Sequence, residues 1–239
     1  MNDVRAVILA GGLGTRLRPY TTVLPKPLMP VGEYPIIEIL IRQLARHGIS
    51  DLTVAVGYLA PLIEAYCGDG SRWGVRIGYS REESRLGTAG PLMLVDGLDS
   101  TTIVVNGDLL TDLDFARMVG FHRAHGAAIT VGAFEREERI SLGVLHTDDA
   151  GRILAYEEKP VHHYLVSMGA YVIEPEVLGF MKKGQHCDFP DFVRCVLQAG
   201  RTVMSYRGTA FWLDIGRVDD YELAVERFAE LRPLLLPDG

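Results

Sequence analysis

The 239-residue chain is 48% hydrophobic and 23% charged, the balance of an ordinary soluble globular protein, and is long enough for one large domain or two small ones. Its formal net charge of −7 carries no clustered basic stripe, which excludes a nucleic-acid partner, although a few placed cations and backbone amides could still hold a small anionic ligand. No segment approaches the roughly 18 uninterrupted apolar residues of a transmembrane helix, so no membrane partner is expected. The short apolar run at the N-terminus leads into a Gly-rich loop and lacks a small-residue cleavage pattern, so it reads as a buried strand and not as an export signal. Three cysteines, Cys67, Cys187 and Cys195, suit reduced thiols in a cytoplasm.

In chain order, residues 4–10 read as a strand, 36–47 as a helix and 52–56 as a strand. Residues 61–67 look helical, 75–79 extended, 89–95 helical and 102–105 extended. A helix over 115–125 and a β-branched strand over 128–134 follow. This alternation argues for α/β: a mostly parallel sheet flanked by helices on both faces. The continuously apolar AVILA and IVVN fit strands covered on both sides. From Leu142 onward, short extended runs at 143–146, 153–157, 166–173 and 203–206 alternate with helices at 175–181 and 189–199. A last helix over 218–230 carries Asp219 and Asp220 near its start, where negative charge suits the helix dipole. No linker or repeat divides the chain, so one domain over 1–239 is expected, with halves 1–134 and 135–239.

The strongest feature is Gly11-Gly12-Leu13-Gly14-Thr15-Arg16-Leu17-Arg18-Pro19, directly after the first strand. Glycines let the backbone turn sharply and bring N–H groups close to an anion, and Arg16 can fork two hydrogen bonds onto phosphate oxygens. A dinucleotide fingerprint would need glycine where Leu17 stands, and a Walker A loop would need Gly-Lys-Ser/Thr. An ordinary Gly-rich turn with surface arginines is the alternative. Pro25-Lys26-Pro27 follows within a dozen residues, its prolines limiting the loop and turning Lys26 into a fixed point charge. Alone, such a tripeptide reads as a solvated turn.

GGLGTRLRPYT followed by PKPLMPVG resembles the signature of the sugar-1-phosphate nucleotidylyltransferases. The likeness continues through LGTAGP at 86–91, Asn106-Gly107-Asp108, EEKP at 157–160 and FWLDIG at 211–216. LGTAGP and FWLDIG look most like the mannose-1-phosphate and heptose-phosphate guanylyltransferase branch. The resemblance implies a single Rossmann-like sheet whose first half binds a nucleoside triphosphate and whose inserted mixed second half binds a sugar 1-phosphate. It implies transfer of a nucleotidyl group, GTP favoured, with release of pyrophosphate.

The implied roles follow the motifs. Gly11, Gly12, Gly14, Thr15 and Arg16 cradle the triphosphate, and Lys26 stabilises charge at the transferred phosphate. Asp108 ends an apolar strand at the carboxyl edge, where open α/β sheets bind ligands. Asp108 and Asp214 together are the family's metal positions and suit Mg²⁺, an oxygen-seeking ion that keeps waters and substrate phosphates; either alone reads as a cap or turn residue. Glu158 would accept from sugar hydroxyls, Lys159 would neutralise the incoming phosphate, and Gly143 matches a close backbone approach to the sugar. Gly87 and Thr88 would offer backbone groups to the base. Glu82 would accept from N1–H and N2–H of guanine, with a plain surface glutamate as the alternative.

Where many relatives carry Asn-Ala-Gly, this chain has Ser167-Met168-Gly169, which puts the usual sugar contact at Ser167 and the identity of the sugar in doubt. The chain is expected to lack the C-terminal extension several relatives carry, and its partners allow a homo-oligomer. His162, His163, His186 and Cys187 match no zinc spacing and read as surface or pocket-rim residues. The competing readings are the same chemistry with UTP, dTTP, CTP or a non-sugar acceptor, and a catalytically silent nucleotide-sugar sensor. Retention of Arg16, Lys26, Asp108 and Asp214 favours an active enzyme.

Overall fold

The computed structural model describes residues 3–208 and 210–237. Its strands are β1 (Arg5–Ala10), β2 (Pro30–Val31), β3 (Tyr34–Pro35), β4 (Asp51–Val56), β5 (Arg76–Arg81), β6 (Thr102–Asn106), β7 (Leu109–Thr111), β8 (Ile129–Arg139), β9 (Gly143–Thr147), β10 (Ile153–Glu158), β11 (Val161–Ile173), β12 (Val203–Arg207) and β13 (Trp212–Asp214). The α-helices are α1 (Ile36–Arg46), α2 (Ala60–Cys67), α3 (Phe115–Ala124), α4 (Phe189–Gln198), α5 (Val218–Glu226) and α6 (Phe228–Leu235). None of the described helices is long and apolar enough to cross a membrane.

Seven strands form one sheet in the order β12-β8-β11-β6-β1-β4-β5. β6, β1, β4 and β5 run parallel, as does the β12–β8 pair, and β11 is antiparallel to both its neighbours. The expected mostly parallel sheet with flanking helices is therefore present. Successive strand residues point to opposite faces, and here both faces are dry. Val7 packs with Val104, Phe189 and Phe192 on one side, while Ile8 packs with Leu40, Val54 and Phe115 on the other. A third apolar cluster joins Leu17, Met29 and Ile36 to Ile215, Phe228 and Leu231, holding the last two helices against the loops that follow β1. The expected boundary at 134/135 falls inside β8, and strands from both halves share the one sheet.

Several elements differ from their sequence signal. The helices expected over 89–95 and 175–181 are short 3-10 turns, Gly90–Leu94 and Pro175–Phe180, each opened by proline near its start. The single helix over 218–230 is two, broken at Arg227. β8 runs five residues past the apolar signal at Phe134, and β11 begins at Val161, because backbone pairing from Val161↔Arg139 to Val166↔Phe134 sustains a β8 segment whose side chains beyond Phe134 are all charged. The pair β7–β13 carried no alternating pattern and is three residues long.

His122 on α3 is 1% exposed, with Nδ1 2.8 Å from Thr130 Oγ1 and Nε2 3.0 Å from Glu174 Oε1. Burial pushes its pKa below the ordinary 6.5, against the pull of Glu174. The unfolded chain therefore takes up the proton first, so stability present above 6.5 declines as the pH falls through that value toward the folded-state pKa. Urea unfolding at pH 7.5 and pH 5.5 should show wild type losing more stability on acidification than His122→Gln; equal losses would remove His122 from the account.

Candidate active site

A cavity of about 410 Å³ opens at the carboxyl ends of β1, β4 and β6. It is lined by the loop from Gly11 to Thr15, by Lys26 and Pro27, by Glu82, Arg85, Gly87 and Thr88, by Asn106 and Asp108, and by His186. The edge is the one where parallel strands point their ends at ligands. The loop is held from both sides. Gly14 adopts φ +60°, and its carbonyl accepts from Thr21 Oγ1 at 2.7 Å and from Leu17 N at 2.9 Å. Leu17 is fully buried, so the 3-10 turn Thr15–Leu17 is anchored while Arg16 stays outward.

Lys26 opens a second 3-10 turn between Pro25 and Pro27 and is 9% exposed. Its ammonium bonds the Oδ2 of Asp108. Burying a lysine costs several kcal/mol unless a counter-charge is in place, and Asp108 provides it. Asp214 arrives through the β7–β13 pair, where it is the ladder partner of Leu109, and Ile215 N donates to Asp108 O at 3.4 Å. The register is pinned at the far end: Thr111 Oγ1 donates to Phe211 O at 2.6 Å, and Phe211 N donates to Asp112 Oδ1 at 2.6 Å. Desolvation raises the Asp214 pKa, the negative Asp108 and Asp220 raise it further, and Lys26 and Arg16 oppose them. Two repelling carboxylates beside fixed cations are a fitting seat for a small hard divalent ion. Among the described residues no group of three His, Cys, Asp or Glu side chains could cage a metal. An ion there would complete its shell with water and phosphate oxygens, as Mg²⁺ does.

Glu82 follows β5 with Oε2 accepting from Leu86 N at 3.2 Å. Its Oε1 lies so close to Gly11 that a methyl on that residue would sit 2.4 Å away, so only glycine admits the carboxylate to this wall. Burial raises the Glu82 pKa, with the Leu86 N–H and Arg85 acting against the shift. The loop at 86–90 is clamped by the distant segment at 187–189. Ala89 N and Gly90 N donate to Cys187 O, Thr88 N donates to Asp188 Oδ1 at 2.9 Å, and Phe189 N donates to Thr88 Oγ1 at 2.8 Å. The Thr88 N–H is thus engaged by Asp188.

The expected acceptor-side residues are not gathered in the cavity. Gly143 and Glu158 are ladder partners in the two-stranded β9–β10 ribbon, and Glu158 stands 3.8 Å from Lys159 with both side chains more than 60% exposed. Ser167 sits where the β11–β8 ladder slips, its Oγ 3.1 Å from Tyr171 OH. This irregular stretch touches the cavity wall, because the Asn106 amide packs against Gly169. Arg85 and Asn106 line the cavity and Asp188 positions it, though none of the three was given a role in the sequence, while His186, read as a surface or pocket-rim residue, lines the cavity. Asn106 had a signal, since it opens the Asn-Gly-Asp motif. Asp188 had none, because its partner lies 100 residues away.

A family model described as nucleotidyl transferase matches residues 5–230. A UTP–glucose-1-phosphate uridylyltransferase of Synechocystis sp. is 38% identical over 93% of this chain. A mannose-1-phosphate guanylyltransferase of Mycobacterium tuberculosis is 33% identical over 92% of it. The chain spans 62% and 63% of the length of these two relatives. In fold it is similar to a candidate glucose-1-phosphate thymidylyltransferase from Bacillus anthracis solved with sucrose, at a TM-score of 0.74 and 24% identity, covering 93% of this chain and 94% of that one. With the family match running through nearly every element described above, the chain belongs to the nucleotidyl transferase family.

Proposed function

We propose that the protein transfers a nucleotidyl group from a nucleoside triphosphate to a sugar 1-phosphate, giving an NDP-sugar and pyrophosphate in a Mg²⁺-dependent reaction. The observation that carries this reading is the charge cluster of Lys26, Asp108 and Asp214 at the mouth of the Gly-rich loop. An acceptor-phosphate oxygen attacks the α-phosphorus in line, and the bond to the pyrophosphate oxygen breaks. The nucleophile is anionic near neutral pH, so no general base is required. Catalysis then rests on holding two repelling anions together and neutralising charge as it develops.

The loop from Gly11 to Thr15 and Arg16 take the triphosphate. Lys26 is preset by Asp108 and turns to phosphate oxygens when they compete for it. Asp108 and Asp214 would hold Mg²⁺, which supplies charge neutralisation and orientation of the phosphates when bound. Gly143, Glu158, Lys159 and Ser167 take the sugar-phosphate side. A reaction that consumes nucleoside triphosphate and feeds sugar transfer belongs in the cytoplasm.

GTP is the proposed donor. Glu82 keeps one carboxylate oxygen beside Gly11 while the other is tied to Leu86, and guanine alone presents two adjacent N–H donors to such an edge. The 38% identity to a relative named for UTP favours the second reading, the same transfer with uracil read through its single N–H.

Three outcomes follow. Asp108→Asn and Asp214→Asn should each cost roughly a hundredfold or more in turnover while circular dichroism shows the fold retained; near-normal Mg²⁺-dependent activity in either removes the metal assignment. Lys26→Ala should lower kcat more than it raises KM, whereas a pure KM effect makes it a ground-state binding residue. GTP should exceed UTP and dTTP in kcat/KM by about ten- to a hundredfold, the worth of a charged hydrogen bond, and Glu82→Gln should narrow the gap. UTP or dTTP as the best donor would replace the guanylyl reading and leave nucleotidyl transfer standing.

A further inference from the structure

The outer half of β8 is an open edge. β12 pairs β8 only as far as Arg207↔Ala133, so among the described residues 134–139 have β11 on one side and no strand on the other. The same region is poorly covered. Among the described residues, nine of the seventeen exposed large apolar side chains lie between Ile140 and Leu165. Leu145, Leu154 and Tyr156, on the β9–β10 ribbon, are each at least half exposed. A two-stranded ribbon is marginal in water without something packed on it.

Charges on an open edge ordinarily deter pairing. Here their order selects a partner. The edge reads Glu135-Arg136-Glu137-Glu138-Arg139. If two copies pair this edge antiparallel about a two-fold axis, only residues of the same parity can face one another, because successive residues turn their N–H and C=O groups to opposite edges. Three central registers remain. Centring on Arg136 opposes Arg136 to itself and Glu135 to Glu137. Centring on Glu138 opposes Glu138 to itself and Arg136 to the neutral Ile140, and makes only one opposite-charge contact, Glu137 to Arg139, twice by symmetry. Centring on Glu137 opposes Glu135 to Arg139 and Arg136 to Glu138, each twice by symmetry, and leaves one like-charge contact at Glu137. His163, with Nδ1 3.8 Å from the Glu137 carboxylate, stands beside that contact. Arg136 and Glu138 already share a face, 2.6 Å apart, so this register joins two such pairs into an alternating quartet.

We propose that the protein forms a two-fold dimer in which residues 135–139 of β8 pair antiparallel with the same residues of a second copy, in register about Glu137. The pairing joins the two seven-stranded sheets edge to edge and brings the exposed apolar arms together.

The test uses charge reversal. One variant carries Arg136→Glu and Arg139→Glu, and the other carries Glu135→Arg and Glu138→Arg. Each opposes like charges at every unequal pair with itself, while the two together oppose acid to base at all four. Sedimentation velocity over a concentration series should give twice the chain mass for wild type, one chain mass for each variant alone, and twice the chain mass again for their equimolar mixture. Circular dichroism confirms that both are folded. Wild type at one chain mass throughout, variants that remain dimeric alone, or a mixture that stays at one chain mass would each overturn the proposal.

Discussion

The site depends on one constraint: two like-charged side chains, Asp108 and Asp214, are held at the same end of a three-residue strand pair, Asp214 within it and Asp108 just before it. Their mutual repulsion, opposed only by Lys26 and Arg16, would not bring them together. The β7–β13 ladder does so mechanically, with its register pinned by Thr111 on Phe211 and by Phe211 on Asp112. Lys26 relieves one of the two carboxylates and finds its own counter-charge in a buried turn by doing so. The result is a site with stored demand for positive charge at one point and stored positive charge beside it. In the proposed reaction, a phosphate chain bound with a divalent cation would satisfy both at once.

This arrangement also explains how the fold divides its labour. The parallel strands β1 and β6 end at the cavity, where Gly-rich turns let backbone and phosphate approach. The walls come from segments far away in sequence. Asp188 at the head of α4 fixes the loop at 86–90, and the irregular stretch after Ser167 packs on Asn106. Rigid positioning by distant elements is what a reaction without a general base requires, since alignment and preset charge are the means it has.

Much of this was legible in the sequence where local chemistry and fold agree. Continuously apolar runs marked β1 and β6, and the Gly-rich loop offered an anion site from its residue types, whereas Lys26 alone read as a solvated turn and took its role from the resemblance. Asp108 and Asp214 were paired only by resemblance, because no local pattern announces a three-residue ladder between segments 100 residues apart. The outer half of β8 was missed for a related reason. Its five charged residues have the composition of a loop, and only backbone pairing with β11 makes them a strand. The break at Arg227 and the short 3-10 turns were obscured because apolar spacing is shared by one long helix, two short ones and a tight turn.

The most direct test of the central claim is pyrophosphate release by the wild-type protein, measured with each of GTP, UTP, dTTP, CTP and ATP against a panel of sugar 1-phosphates. The account requires release only when a triphosphate and a sugar 1-phosphate are present together, and its loss when a chelator removes the divalent cation. Release that needs no acceptor, that survives the chelator, or that fails with every pair would contradict it.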